Sequence, residues 1–117
     1  MALGEQHIEA FLKEFRQKKQ IFGLLFRDDR AKNQQTLLDL EITAKKREET
    51  IDSIQVSDYV EGPKEESLYK GAEMWVFGKQ LKGRDIYIKI TMGFPATSVI
   101  CISFHIAERR LTYPFKK

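Results

Sequence analysis

Five residues in the C-terminal third carry groups that together could act on a phosphodiester: Tyr87, Lys89, His105, Arg109 and Arg110, with Lys79 and Lys70 near enough to join them. Imidazole titrates near neutral pH and serves as base or acid. Lysine and arginine place positive charge where negative charge develops in a transition state. A phenol donates a proton or stacks on a nucleobase. That kit suits cleavage of RNA without a metal. The 2′-hydroxyl attacks the adjacent phosphorus, a base takes its proton, a cation stabilises the phosphorane-like transition state, and an acid protonates the departing 5′-oxygen. Tyr87, Lys89, His105 and Arg109 are the candidate catalytic set. Lys79, Arg84, Arg110 and Tyr113 are the candidate contacts to the rest of the strand. The wet face of any antiparallel sheet can carry the same residue types, so the elements that place them decide the matter.

Other chemistries lack their residues. No Cys or His cluster has zinc spacing, no glycine loop is built to cradle phosphate, and no serine sits in a nucleophile elbow. No cofactor signature is present, and none is expected. Asp28 and Asp29 are adjacent acids in a turn without a third ligand at recognisable spacing, so they are expected to pair with Arg27 and Arg30. His7 falls in the first turn of a helix and reads as surface. The single cysteine, Cys101, excludes an internal disulfide and suits a reducing cytosol, so a cytoplasmic location is expected. No apolar run is long enough to span a membrane, and the start MALGEQHIEA lacks the apolar region of a signal peptide. Net charge is only +3, which permits a nucleic-acid partner without demanding one.

Hydrophobic residues make up 42% of the 117 residues, enough for one globular domain spanning residues 1–117. Its centre is the stretch from Met74 to Ile106, read as three strands and two turns. Arg84 to Met92 alternates Ile86, Ile88, Ile90 and Met92 against Asp85, Tyr87, Lys89 and Thr91. Ser98 to Ile106 alternates Ile100, Ile102, Phe104 and Ile106 against Val99, Cys101, Ser103 and His105. Lys82-Gly83 makes a two-residue hairpin turn. Leu81 then pairs with Arg84, Gly78 with Tyr87, and Val76 with Lys89. Trp75 and Phe77 thereby join the isoleucines on the core face. The last strand must bring its isoleucines to the same core. Tyr87, Lys89, Ser103 and His105 are thus predicted on the opposite face, with Gly78 leaving room beside Tyr87.

Earlier in the chain, Ile8, Phe11, Leu12 and Phe15 fall at helical spacing and predict an amphipathic helix over Glu5 to Gln20. Ile21 to Arg27 reads as a strand with both faces largely covered, and Thr36 to Ile42 as its hairpin partner, although TLLDLEI also suits a helix turn by propensity. Thr43 is a good N-cap for a short, shallow helix over Ala44 to Ile54. Val56 to Gly71 reads as a long irregular loop in which Gly62-Pro63 rules out a central strand. The tail aromatics are expected to fold back on the core and hold the Arg109–Arg110 pair near the mouth of the last strand. The fold class is therefore α+β: an N-terminal helix and a short second helix packed on a twisted antiparallel sheet.

The order of a tryptophan, a Tyr-x-Lys strand and a Ser-Phe-basic strand is carried here by MWVFGKQLKGRDIYIKI and VICISFH. It resembles the MqsR-type toxins of bacterial type II toxin–antitoxin systems, which share the RelE and ParE group's fold. The similarity covers about Ser57 to Glu108. It implies a metal-independent endoribonuclease that cuts messenger RNA and is held inactive by a cognate antitoxin protein. Tyr87 matches the family's catalytic tyrosine. His105 stands where the family has lysine, Val76 where it has glutamine, and Glu61 near its other lysine, with Lys64 close by. Two other functions fit the same residues: a non-catalytic module of this scaffold that occupies a protein partner, and a regulatory domain that forms a homodimer through an exposed sheet edge.

Overall fold

The computed structural model describes residues 4–65 and 72–116. Helix α1 (Glu5–Phe22) is followed by strand β1 (Leu24–Phe26), helices α2 (Ala31–Leu40) and α3 (Ala44–Asp52), and strands β2 (Tyr59–Glu65), β3 (Glu73–Leu81), β4 (Arg84–Thr91) and β5 (Val99–Ile106). The five strands form one sheet in the order β1-β5-β4-β3-β2. The class is α+β, with three helices and a mixed sheet. The expected all-antiparallel sheet is corrected at one place: β1 runs parallel to β5, with Leu24 opposite Val99 and Phe26 opposite Cys101.

The predicted central register is present. Leu81 pairs with Arg84, Gly78 with Tyr87 and Val76 with Lys89. Lys82 and Gly83 both have positive φ, which suits the turn between them. On one face, Phe11 of α1 stacks on Trp75 with centroids 4.6 Å apart and planes within 15°. Ile8, Leu12 and Phe15 complete the helix stripe, and Ile51 and Ile54 from the α3 region join the same core as Ile86, Ile88 and Phe104. Thr43 caps α3 as predicted, its hydroxyl accepting from the Lys46 amide at 3.0 Å.

Three sequence expectations change. Thr36 to Ile42 is not a strand; Ala31–Leu40 is helical and lies along the outer edge of β5. Ile21 and Phe22 extend α1, leaving a three-residue edge strand whose Leu25 is half exposed. The irregular stretch after Val56 contains an ordered strand, β2, at the other sheet edge, where register shifts absorb Gly62-Pro63. An edge is where a strand tolerates proline.

The alternation in β5 also breaks. A bulge opposite Lys89–Ile90 makes Cys101, not Ile102, the partner of Ile90. Val99 and Cys101 therefore join Phe104 in the main core. Ile100 and Ile102 turn to the other face and pack with Ala72 and Met74. One extra residue in a strand shifts everything beyond it to the opposite face. Ser103 and His105 lie on the near side of the bulge and keep their predicted face.

Candidate ribonuclease cleft

Two rows of side chains cross the face turned away from α1. One runs Gly78, Tyr87, His105 and the other Glu61, Val76, Lys89, Ser103. The rings of Tyr87 and His105 stack with centroids 5.2 Å apart and planes 17° apart. His105 Nδ1 lies 3.0 Å from the Ile106 carbonyl. A carbonyl oxygen only accepts, so this contact favours the tautomer with its hydrogen on Nδ1, whose Nε2 bears the lone pair. Burial pushes the Tyr87 phenol above its usual range, and Glu61 adds to this against the opposing Lys64 and Arg109 charges. Tyr87 is thereby kept as a proton donor.

The pair opens into a cleft of about 970 Å³. Basic residues arrive from three directions: Lys89 from the sheet, Arg30 and Lys32 from the start of α2, and Arg109 and Arg110 from the chain after β5. Arg30, Arg109 and Arg110 form no ion pair among the described residues. Lys32 is bonded to Glu108, and Lys64 pairs with Glu61 at 2.8 Å. Lys32 holds the Glu108 carboxyl below its usual range. Among the described residues no three of His, Cys, Asp and Glu gather closely enough to hold a metal ion.

Asn33 explains how α2 is held beside this site. It is almost fully buried, donates to the Arg27 and Ile102 carbonyls and accepts from the Phe104 amide, each at 3.0 Å. Thr36 accepts from the Ile106 amide at 3.3 Å. The β5 edge is thus satisfied by β1 as far as Cys101 and by α2 side chains beyond it. Below the turn that leads into α2, Asp28 receives both Arg47 guanidinium nitrogens, at 2.7 and 3.1 Å, and Arg47 lies over the Phe26 ring. Asp29 pairs with Arg27 as expected, whereas the partner of Asp28 is Arg47.

The predicted residues divide between the faces. Tyr87, Lys89, His105, Arg109 and Arg110 converge on the cleft. Lys79 does not: it sits by the core-facing side and binds Asp58 at 3.0 Å. Arg84 stands at the β3–β4 turn away from the cleft, on the same strand face as Ile86. Tyr113 fills the space over Gly78 and does not line the cleft; a methyl group at Gly78 would lie 2.4 Å from its hydroxyl oxygen. Phe115 folds onto Tyr59 at 5.8 Å, as foreseen for the tail. Lys70 lies outside the described residues. Arg30, Lys32 and Asn33 fall in the turn of the expected hairpin, where nothing marks them for the site; the polar run AKNQQT just before the leucines is the available signal for a helix.

The chain matches no family model, no curated protein and no solved structure. No helix among the described residues is long and apolar enough to cross a membrane.

Proposed function

We propose that the protein is a metal-independent endoribonuclease, the toxin of a toxin–antitoxin pair of the MqsR type, with RNA bound across the Tyr87–His105 face. The stacked pair supports this most directly: an imidazole with Nε2 free and a phenol held protonated, side by side in a basic cleft. His105 Nε2 takes the proton from the 2′-hydroxyl as O2′ bonds to phosphorus. The P–O5′ bond breaks, and Tyr87 gives its proton to the departing oxygen. The products are a 2′,3′-cyclic phosphate and a 5′-hydroxyl, and solvent returns the proton from imidazole to phenol. Lys89 and Arg109 stabilise the charge on phosphorus, with Arg110 as an alternate. An antitoxin that silences such an enzyme would present acidic groups to this cleft.

The test is incubation of purified protein with mixed RNA in EDTA, with product ends mapped. Defined cuts that leave 2′,3′-cyclic phosphates, and vanish in His105→Ala, are expected. A folded protein that binds RNA with the usual salt dependence but leaves it intact is instead a binding module.

A further inference from the structure

Buried threonine hydroxyls are satisfied within the fold: those of Thr36, Thr50 and Thr91 donate to the carbonyls of Lys32, Lys46 and Glu73 at 2.9, 2.8 and 2.8 Å. Ser103 differs. The residue is only 3% exposed, yet its hydroxyl forms no hydrogen bond among the described residues. Its carbonyl is engaged, accepting from Cys101 Sγ at 3.3 Å. Among the described residues, the one side-chain polar atom sealed from solvent without a partner is Arg47 Nε. The Ser103 oxygen is therefore not sealed, and it opens on the main cleft, which Ser103 lines.

We propose that Ser103 is a phosphate-binding residue, its hydroxyl donating to one non-bridging oxygen of the phosphate that Lys89 holds beside the paired rings. The proposal rests on RNA occupying the main cleft. Ser103 stands opposite Lys89 and two residues from His105, so the Lys89–Ser103 pair is the immediate neighbour of the Tyr87–His105 pair on one face. Two residues along a strand span about 7 Å, a distance that a phosphate bridges with one hydrogen bond at each end. In an in-line displacement, the attacking and leaving oxygens lie along an axis from His105 to Tyr87. The non-bridging oxygens project sideways from that axis, and one side of it is the Lys89–Ser103 pair. The ammonium of a lysine attracts both of these oxygens alike. A short hydroxyl set in the strand donates to only one. Ser103 thereby decides which oxygen turns to the sheet, and the phosphate supplies the partner that the fold does not.

Sulfur is a poor hydrogen-bond acceptor, so replacing one non-bridging oxygen at a time reads the contact apart from catalysis. The probes are two uncleavable pentanucleotides whose 2′-fluoro sugars cannot attack phosphorus. Every linkage of one is the Rp phosphorothioate, and every linkage of the other is the Sp form. Fluorescence anisotropy is expected to show one form bound about tenfold more weakly than the other. In Ser103→Ala the two forms converge to within about twofold, with the salt dependence unchanged because no charge is lost. The variant is expected to melt no lower than the unaltered protein, since the hydroxyl it loses is unbonded within the fold. Equal binding of both forms by the unaltered protein overturns the proposal, as does a preference that survives Ser103→Ala, a Tm lowered by several degrees or an absence of RNA binding. Preference without cleavage of ordinary RNA sinks the ribonuclease mechanism and leaves the phosphate seat standing. Cleavage without preference does the reverse.

Discussion

Tyr87 and His105 stand directly opposite each other on β4 and β5, and their rings lie nearly parallel 5.2 Å apart. The contact fixes the two ring planes relative to each other, and both residues line the cleft. If the two groups transfer protons, removing either functional atom lowers RNA cleavage by at least about tenfold. Tyr87→Phe is the sharper probe, because it keeps the stacked ring and deletes only the hydroxyl. Single-turnover rates for Tyr87→Phe and His105→Ala provide the measurement. Unchanged rates in both would remove these residues from the mechanism.

Lys32 and Glu108 both line the cleft and are joined to each other, with side chains 63% and 64% exposed. An exposed pair of this kind is easily exchanged for a phosphate. Glu108→Gln releases Lys32 to the strand, so RNA is expected to bind more tightly and the salt dependence to steepen by about one unit of slope. Lys32→Ala is expected to move both quantities the other way. Titrations at several salt concentrations distinguish this from a lysine that never meets RNA.

Asn33 uses its amide as both donor and acceptor on the open edge of β5. Asn33→Asp still accepts from the Phe104 amide, but it takes a donor from the Ile102 carbonyl, leaves the Arg27 carbonyl only the Arg30 amide, and introduces a charge at a site only 2% exposed. The expected cost is about 2–4 kcal/mol of folding stability, read from urea denaturation. A loss below about 0.5 kcal/mol would mean that the edge is satisfied by other means.

Alkaline pH should destabilise the fold. Burial pushes the Cys101 thiol from 9.0 up to about 12. Between those values the unfolded chain releases a proton that the folded chain keeps, so stability falls as pH rises through the window. Tyr59, Tyr87 and Tyr113 are also raised by burial, which adds to the fall above pH 10. Tm measured from pH 8 to 11 is expected to decline from about pH 9, and Cys101→Val should postpone the decline to about pH 10. An unaltered profile in that variant would show that the thiol ionises without unfolding.

What was legible in the sequence is what short-range periodicity encodes. The alternation around Lys82-Gly83 placed Gly78, Tyr87, Lys89 and Val76 in their true register, because a two-residue turn leaves one way to pair the strands. Burial of Ile86, Ile88 and Ile90 on one side puts Tyr87 on the other, and burial of Phe104 beside Ile88 does the same for His105. The apolar stripe of α1 and the Thr43 cap were equally local and equally readable.

Tertiary structure decided the rest. Helix α2 hides its nature because two of its three buried positions are polar: Asn33 and Thr36 face in to complete the edge of β5 and only Leu40 joins the core, while Leu38 is 72% exposed. A pattern search seeks apolar residues inside and finds instead the alternation of Leu38, Leu40 and Ile42. The β5 bulge is no more visible, since Val99, Ile100, Cys101 and Ile102 are all apolar and either pair can face the core. Arg30 and Lys32 reach the cleft only because α2 docks along the edge of β5. The residues alone therefore place Tyr87 and His105 side by side on one sheet face. Which cations surround those rings depends on long-range packing, where a polar side chain gains more from finishing a strand edge than from meeting water.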